Sequence, residues 1–501
     1  MTSLRAVETW SDEADVVIVG LGMAGAVAAI EARAHSPNAD VLVLEKMPER
    51  YVGGNGRASG QTLYCPHNLE ALMRYQQSMN HPNPVPEPVL KAWAEAMVSQ
   101  EPYIENIARD AGMEYIHRGR VGKATVIEFP ELGGTEAVDY NSTIDPNPCG
   151  VWNAFKAKFD SDPPRVRFET PVTDLIQDPD TREVFGVIAR IGGREVAVKA
   201  RRGVILCCGG YENDLDMQRN YHGIDRAYPM GTPGNTGDGI RMLQRAGAEL
   251  WHMKNQTQSG GLWPAIKVDE YETAFMRNLR MQSGSWFDIA RDGGRYYNET
   301  ERYALTHYKE RVSGTWLDTP LADVLPVHMI FDEKTRRTDC LVTQWMTWNT
   351  CVEGYSWSED NSAELQKGWI VQADTLDELA SRIGRSANEL KSAVSDFNAA
   401  CGAGKPDRFG RDPETMQRLE GPPYYALEIV AGIVCTTGGG KRNEHSQVLD
   451  SSNQPIPRLY EAGELGSTMA NLYQNGSFLT ECMVFGRIAA RHALGLDAWR
   501  E

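Results

Sequence analysis

No apolar run in this 501-residue chain approaches the ~18–20 residues of a membrane span. The best candidates, residues 16–19 and 204–208, are short and suit buried strands. The N-terminus lacks the basic-then-apolar order of a secretory leader. Positive charge is scarce: 51 Lys and Arg against 68 Asp and Glu give a net charge of −17. That excess favours solubility and argues against a nucleic-acid-binding surface. The nine cysteines are odd in number and scattered, and no metal-ligand spacing occurs. Cys207 and Cys208 are adjacent inside an apolar run, where a structural disulfide is disfavoured. Reduced thiols, a cytoplasmic location and no metal site are expected. Repeats and low-complexity tracts are absent too. With 41% hydrophobic and 24% charged residues the composition is that of a globular protein, long enough for two or three domains.

The clearest pattern lies at the start. Residues 14–20 read as a buried strand ending at Gly20, followed by Gly20-Leu-Gly-Met-Ala-Gly25, an Ala-rich helix over 26–34 and a second strand over 40–45 ending in Glu45. This is a βαβ unit with G-x-G-x-x-G at its first turn. Gly20 permits the turn, Gly22 lets backbone approach a pyrophosphate, and Gly25 lets the helix pack on the strand. The helix N-terminus offers free N–H groups and partial positive charge. Glu45 would accept hydrogen bonds from an adenosine ribose. The unit therefore predicts dinucleotide binding.

Further along, residues 67–112 read as two helices separated by prolines at 82, 84, 86 and 88. Strands are expected over 166–170 and 184–200, with a turn at Gly192-Gly193, and again over 201–210. Residues 235–239 lead a helix running to 247–248. Composition shifts after about residue 270 towards tryptophan, tyrosine and mixed charge, with a helical stretch over 375–401. The strand-and-glycine style returns at 422, and residues 484–495 read as a last helix. One domain is interrupted by another. No second G-x-G-x-x-G for NAD(P)H is present.

Through the N-terminal fingerprint and residues 53–60, 204–210, 235–239, 294–299, 436–440, 457–464 and 479–487, the chain resembles the flavoprotein superfamily of fumarate reductases and succinate dehydrogenases. Within it, the chain is similar to the 3-ketosteroid dehydrogenases. The resemblance implies an α/β fold: a discontinuous Rossmann-like FAD-binding domain (1–272 and 421–501) with an inserted α+β catalytic or capping domain (273–420). It implies FAD, held noncovalently because residues 53–64 contain no histidine. The implied FAD-binding residues are Gly20, Gly22, Ala24, Gly25, Glu45, Lys46, Gly54, Asn55, Ser59, Gly60, Gly209, Asp238, Glu464, Ser477 and Leu479. Of these, Glu464 would contact the ribityl chain, and Ser59 or Gly60 would lie near flavin N5. A last-helix N-terminus near 477–479 would face the reduced flavin's charge, an interaction worth up to about 2 kcal/mol when partly buried.

Departures from that pattern redirect the substrate. Fumarate reductases carry a histidine where this chain has Cys435, an arginine where it has Tyr473, and a proton-donating arginine at the step that lands on Tyr303, five past Asn298. A His-Pro-Thr motif expected near 255–260 is also missing. Four lost cation or histidine positions argue against a dicarboxylate. Ketosteroid dehydrogenases show tyrosines at the two corresponding places. By that resemblance Tyr473, with the backbone N–H of Gly476 or Ser477, would donate to a ketone oxygen and stabilise the enolate. Tyr303 would take or return a proton on the face opposite the flavin. A tyrosinate near pH 7 needs a downward shift of ~3 units, to which Arg302 would contribute; otherwise alkaline pH is preferred. Tyr64, Tyr115 and Tyr140 are candidates for a third site tyrosine, and His252 and His307 lie near the site in sequence. Trp251, Trp263 and Trp286 are read as core.

The expectation is an FAD-dependent oxidoreductase acting on a CH–CH bond next to a ketone, in a 3-ketosteroid or similar cyclic ketone. Its partners are a small hydrophobic ketone and an external electron acceptor or donor, because no haem-binding Cys-x-x-Cys-His and no FMN-carrying extension is visible. Enone reduction with the same residues is the alternative; a non-catalytic FAD-binding subunit is the reading from another class.

Overall fold

The computed structural model describes residues 1–118, 127–145, 148–254, 262–278, 280–300, 309–312, 315–318 and 324–499. They fall into two compact units. One comprises Met1–Asp225, Gly231–Gly260 and Cys435–Glu501, the other Arg226–Met230 and Gly261–Val434.

The first unit is built on a nine-stranded sheet. Its parallel part runs in the order Arg165–Arg167, Val41–Leu44, Asp12–Val19, the C-terminal half of Arg194–Leu206, and Pro455–Glu461. Because strands turn alternate side chains to opposite faces, Val17, Val19, Leu42, Leu44 and Leu206 share one face with Ile240 and Leu243 of the helix Asp238–Ala246. The helices Met23–His35 and Ser477–Gly495 pack on each other and against the sheet strands.

Two expected strands are one. Arg194–Leu206 is continuous: its first half pairs antiparallel with Val184–Ile191, and its second half joins the parallel sheet. The register against Asp12–Val19 slips by one residue between Ala200 and Gly203. Arg201 and Arg202 form this bulge, which re-aims the strand. Arg202 then donates to the carbonyls of Leu494 and Leu496 at 2.8 and 2.6 Å, closing the C-terminus of the last helix.

Residues 67–112 form three helices rather than two, Leu69–Asn80, Glu87–Ser99 and Glu101–Asp110. Pro102 is the cause: it lacks an N–H and fits a first helical turn, so the chain restarts there. The last helix begins at Ser477, within the 477–479 start that the resemblance implies and seven residues before the start read from the apolar pattern. Residues 375–401 divide into Leu376–Arg382 and Ala387–Cys401. All nine cysteines are free thiols, and no described helix is long and apolar enough to cross a membrane.

The second unit centres on Tyr424–Ile433, which pairs with Val327–Asp332, Trp263–Ile266, Val371–Ala373 and Tyr228–Pro229 in a seven-stranded sheet. The boundary read at 421 places this strand with the first domain; its hydrogen bonds belong to the second unit. Trp286 is fully buried there, with the guanidinium groups of Arg277 and Arg411 over its ring at 5.0 and 4.8 Å. Glu299 is also fully buried. It accepts from Arg295 Nε and Nη2 at 2.7 and 2.6 Å and from Arg411 Nη1 at 3.1 Å, which anchors the segment just before Tyr303.

The last helix is anchored by charge. Glu481 accepts from Arg442 Nη2 at 2.5 Å, Ser467 Oγ at 2.6 Å and Thr468 N at 2.8 Å, and Arg442 is fully buried against Phe485. Removing one partner of a buried pair strands the other charge and costs about 3–5 kcal/mol. Arg442→Met should lower unfolding stability by about that amount, and adding Glu481→Gln should restore part of it. Equal denaturant midpoints for the wild-type and Arg442→Met proteins would remove this anchor from the account.

Candidate functional site

The carboxyl ends of the parallel strands carry several candidate residues. Gly20 follows Val19, Glu45 follows Leu44, Gly209 lies just past Leu206, and Glu464 lies just past Glu461. In open α/β sheets this edge is where ligands bind. Gly25 holds the first helix tight against it: a Cβ there would lie 2.0 Å from the Gly20 carbonyl oxygen. The helix Met23–His35 starts at Gly22 with no side-chain cap, so its first N–H groups are left for a ligand. Gly22 bridges to Gly53, laying a bare backbone floor at that helix start.

Glu45 is buried and accepts from Leu21 N at 2.5 Å and Met47 N at 2.7 Å. Burial pushes its carboxyl above the usual range. Lys46 pairs with Asp238 at 2.5 Å and donates to Thr236 at 2.7 Å. The short helix Gly54–Ala58 lies between the first turns of the first and last helices: a Cβ on Gly56 would sit 2.9 Å from Met23 Cβ and 3.7 Å from Leu479 Cδ2. Ala24 approaches Gly463, whose built Cβ would be 3.0 Å away. Gln61 secures the end of the helix, donating to Gly56 O at 2.9 Å and to Ser59 O at 3.0 Å, and so fixes Ser59 and Gly60.

A polar cluster fills the centre of this edge. Asn55 Nδ2 donates to Glu212 Oε1 at 2.8 Å and Glu464 Oε2 at 3.0 Å, and Asn235 Nδ2 donates to the same two oxygens at 2.7 and 3.4 Å. Gly209 admits this, since a Cβ on it would lie 2.3 Å from Asn235 Oδ1. Glu212, Asn235 and Gln61 were not singled out from the sequence. The available signal was position: Glu212 and Asn235 follow glycine-rich ends at the ligand-binding edge.

Tyr473 precedes the last helix and is buried, with its ring stacked on Phe478 at 4.3 Å. Its hydroxyl accepts from Gly476 N at 3.2 Å, while Ser477 N donates to Gln474 O at 3.1 Å. Both backbone donors expected to meet a ketone thus have protein acceptors, and Gly476 N–H polarises the phenol instead. Burial, then the neighbouring Cys435 and Glu464, push the Tyr473 hydroxyl well above its ordinary value, so it stays protonated. Gly476, at φ 87°, lies so close to Tyr64 that a Cβ would meet Tyr64 N at 2.8 Å. Among the described residues, Tyr64 OH and Ser477 Oγ are buried without a hydrogen-bond partner.

The other candidates separate. Tyr115 and Tyr140 direct their hydroxyls to Glu101 at 2.8 and 3.1 Å. His252 Nδ1 lies 2.7 Å from Ser467 O, and burial lowers its pKa to about 4. Trp263 and Trp286 belong to the second unit's core, and the half-buried Trp251 stacks on His252 at 4.3 Å. Tyr303 and His307 lie outside the described residues.

The orphaned hydroxyls, the uncapped helix start and the glycine floor fit a large, polar, anionic group such as FAD. A family model described as FAD binding domain matches residues 15–478. Vinyl phenol reductase of Lactiplantibacillus plantarum is 26% identical over 513 residues, covering 96% of this chain and 96% of that protein. A 3-oxosteroid 1-dehydrogenase of Mycobacterium tuberculosis is 28% identical over 357 residues, covering 65% of this chain and 59% of that one. The crystal structure of 3-ketosteroid delta1-dehydrogenase from Sterolibacterium denitrificans, in complex with 1,4-androstadiene-3,17-dione, shares the fold, with a TM-score of 0.74 at 21% identity over 97% of this chain and 100% of that one. The chain belongs to the FAD binding domain family and is an FAD-dependent oxidoreductase of the fumarate reductase type.

Proposed function

We propose that the protein oxidises a CH–CH bond next to a ketone, in a 3-ketosteroid or similar cyclic ketone. The observation that carries this is Tyr473: a buried, protonated phenol with Cys435, Glu464, Gly476 and Phe478 around it and no positive charge among them. That environment suits a neutral carbonyl and, among these described residues, offers a carboxylate no cation to pair with. FAD, when bound, supplies the two-electron hydride acceptor.

Tyr473 donates to the ketone oxygen, and Gly476 N–H, bonded to the phenol oxygen, strengthens it as a donor. The polarised carbonyl acidifies the α-carbon. Tyr303, four residues past Glu299 in the sequence, takes the α-proton while hydride leaves the β-carbon, and the double bond forms between the two carbons. Run backwards, the same residues reduce an α,β-unsaturated ketone. The full-length likeness to a reductase supports that direction.

Two variants test the roles. Tyr473→Phe should retain FAD yet slow anaerobic flavin bleaching by a reactive 3-ketosteroid ~10²–10³-fold, the usual loss for one such donor; unchanged bleaching would sink the assignment. Tyr303→Phe should abolish solvent deuterium exchange at the ketone α-carbon. Exchange at the wild-type rate would mean that another group moves the proton.

A further inference from the structure

Glu212 has no part in the mechanism above, yet it is fully buried at the ligand-binding edge. Its carboxyl and that of half-buried Glu464 meet the same two amide nitrogens, Asn55 Nδ2 and Asn235 Nδ2, all four contacts lying between 2.7 and 3.4 Å. Each amide has two N–H bonds to give, one for each acid. Asn55 is itself fixed, accepting from Thr232 N at 2.9 Å, and Thr436 Oγ1 lies 3.4 Å from Glu212 Oε2.

No Lys, Arg or His pairs with either acid among the described residues. The titratable groups that face the pair are Cys435, which donates to Glu464, together with Tyr473, Cys482 and Tyr211. Burial raises the last three above their ordinary values, so they stay neutral near pH 7. Glu481, one residue before Cys482, is already matched by Arg442. Two buried carboxylates with only neutral neighbours cannot both ionise cheaply.

We propose that Glu212 is a positioning residue for FAD: Glu212 and Glu464, held side by side by the amides of Asn55 and Asn235, carry one proton between them, keeping one carboxyl of the pair uncharged at the strand ends that receive the cofactor. The inference rests on the FAD site and not on the ketone reading. Both carboxyls are pushed above the usual range, by burial first and, for Glu464, next by the charge of Glu212. A group with a raised pKa is protonated below that pKa and loses its proton as pH rises through it. FAD brings an anionic pyrophosphate, so it binds the protonated pair more tightly and loosens as the proton leaves.

The test is to dilute the full-length holoenzyme between about pH 6 and 9 and read released FAD by its fluorescence. One linked proton weakens binding by up to about tenfold per pH unit where the pair titrates. Glu212→Gln should flatten that dependence above neutral pH, with FAD still bound at pH 6. A wild-type affinity that does not change with pH overturns the proposal, as does an unchanged slope in Glu212→Gln. If the variant fails to fold, infrared spectra of wild-type holoenzyme at pH 7 decide. A protonated-carboxyl band that disappears as pH rises while FAD is released supports the pair; a band absent at pH 7 rules it out.

Discussion

The first helix cannot stand off from its sheet. Gly25 allows its backbone to touch the Gly20 turn, and the last helix crosses it at Gly486, where a Cβ would meet Ala24 O at 2.9 Å. That packing brings the first turns of both helices, at Met23 and Leu479, around one short helix, Gly54–Ala58. Dipoles, glycine floor and polar side chains then gather at the carboxyl ends of the parallel strands. Side chains added at these contacts would separate the elements, and the site would lose its geometry before it lost any functional group.

The electrostatics follow from that crowding. Strong cations are spent on the frame: Arg442 on Glu481, Arg202 on the last helix C-terminus, Lys46 on Asp238. Among the described residues, the interior around Tyr473 is left with neutral or proton-holding groups. In such a place a phenol stays protonated and donates, and an acid keeps its proton longer than it would in water. The same lack of cations shapes both proposals, a neutral ketone as substrate and an acid pair that holds a proton beside an anionic cofactor.

Local patterns made part of this legible. The βαβ unit, Glu45 and the glycines were readable because their spacing is short and each residue type has one physical reason to be there. The strand Arg194–Leu206 read as two because its bulge at Arg201-Arg202 interrupts the apolar pattern. The apolar pattern alone put the start of the last helix at residue 484, because residues from Ser477 to Gly486 are buried on every side, which erases the 3.6-residue period; the family resemblance placed it at 477–479. Strand Tyr424–Ile433 carries no local mark of which sheet it joins. The Glu212 cluster was invisible for a different reason: its bonds span 23, 157 and, from Asn55 to Glu464, 409 residues.

The central claim is that this flavoprotein serves a ketone-bearing substrate and not a dicarboxylate. The direct measurement mixes the photoreduced wild-type enzyme anaerobically with a cyclic enone such as a 3-keto-1,4-diene steroid, and separately with fumarate, and follows flavin absorbance. Reoxidation by the enone with no reaction from fumarate is the result this account predicts. Reoxidation by fumarate, with the enones inert, would contradict it.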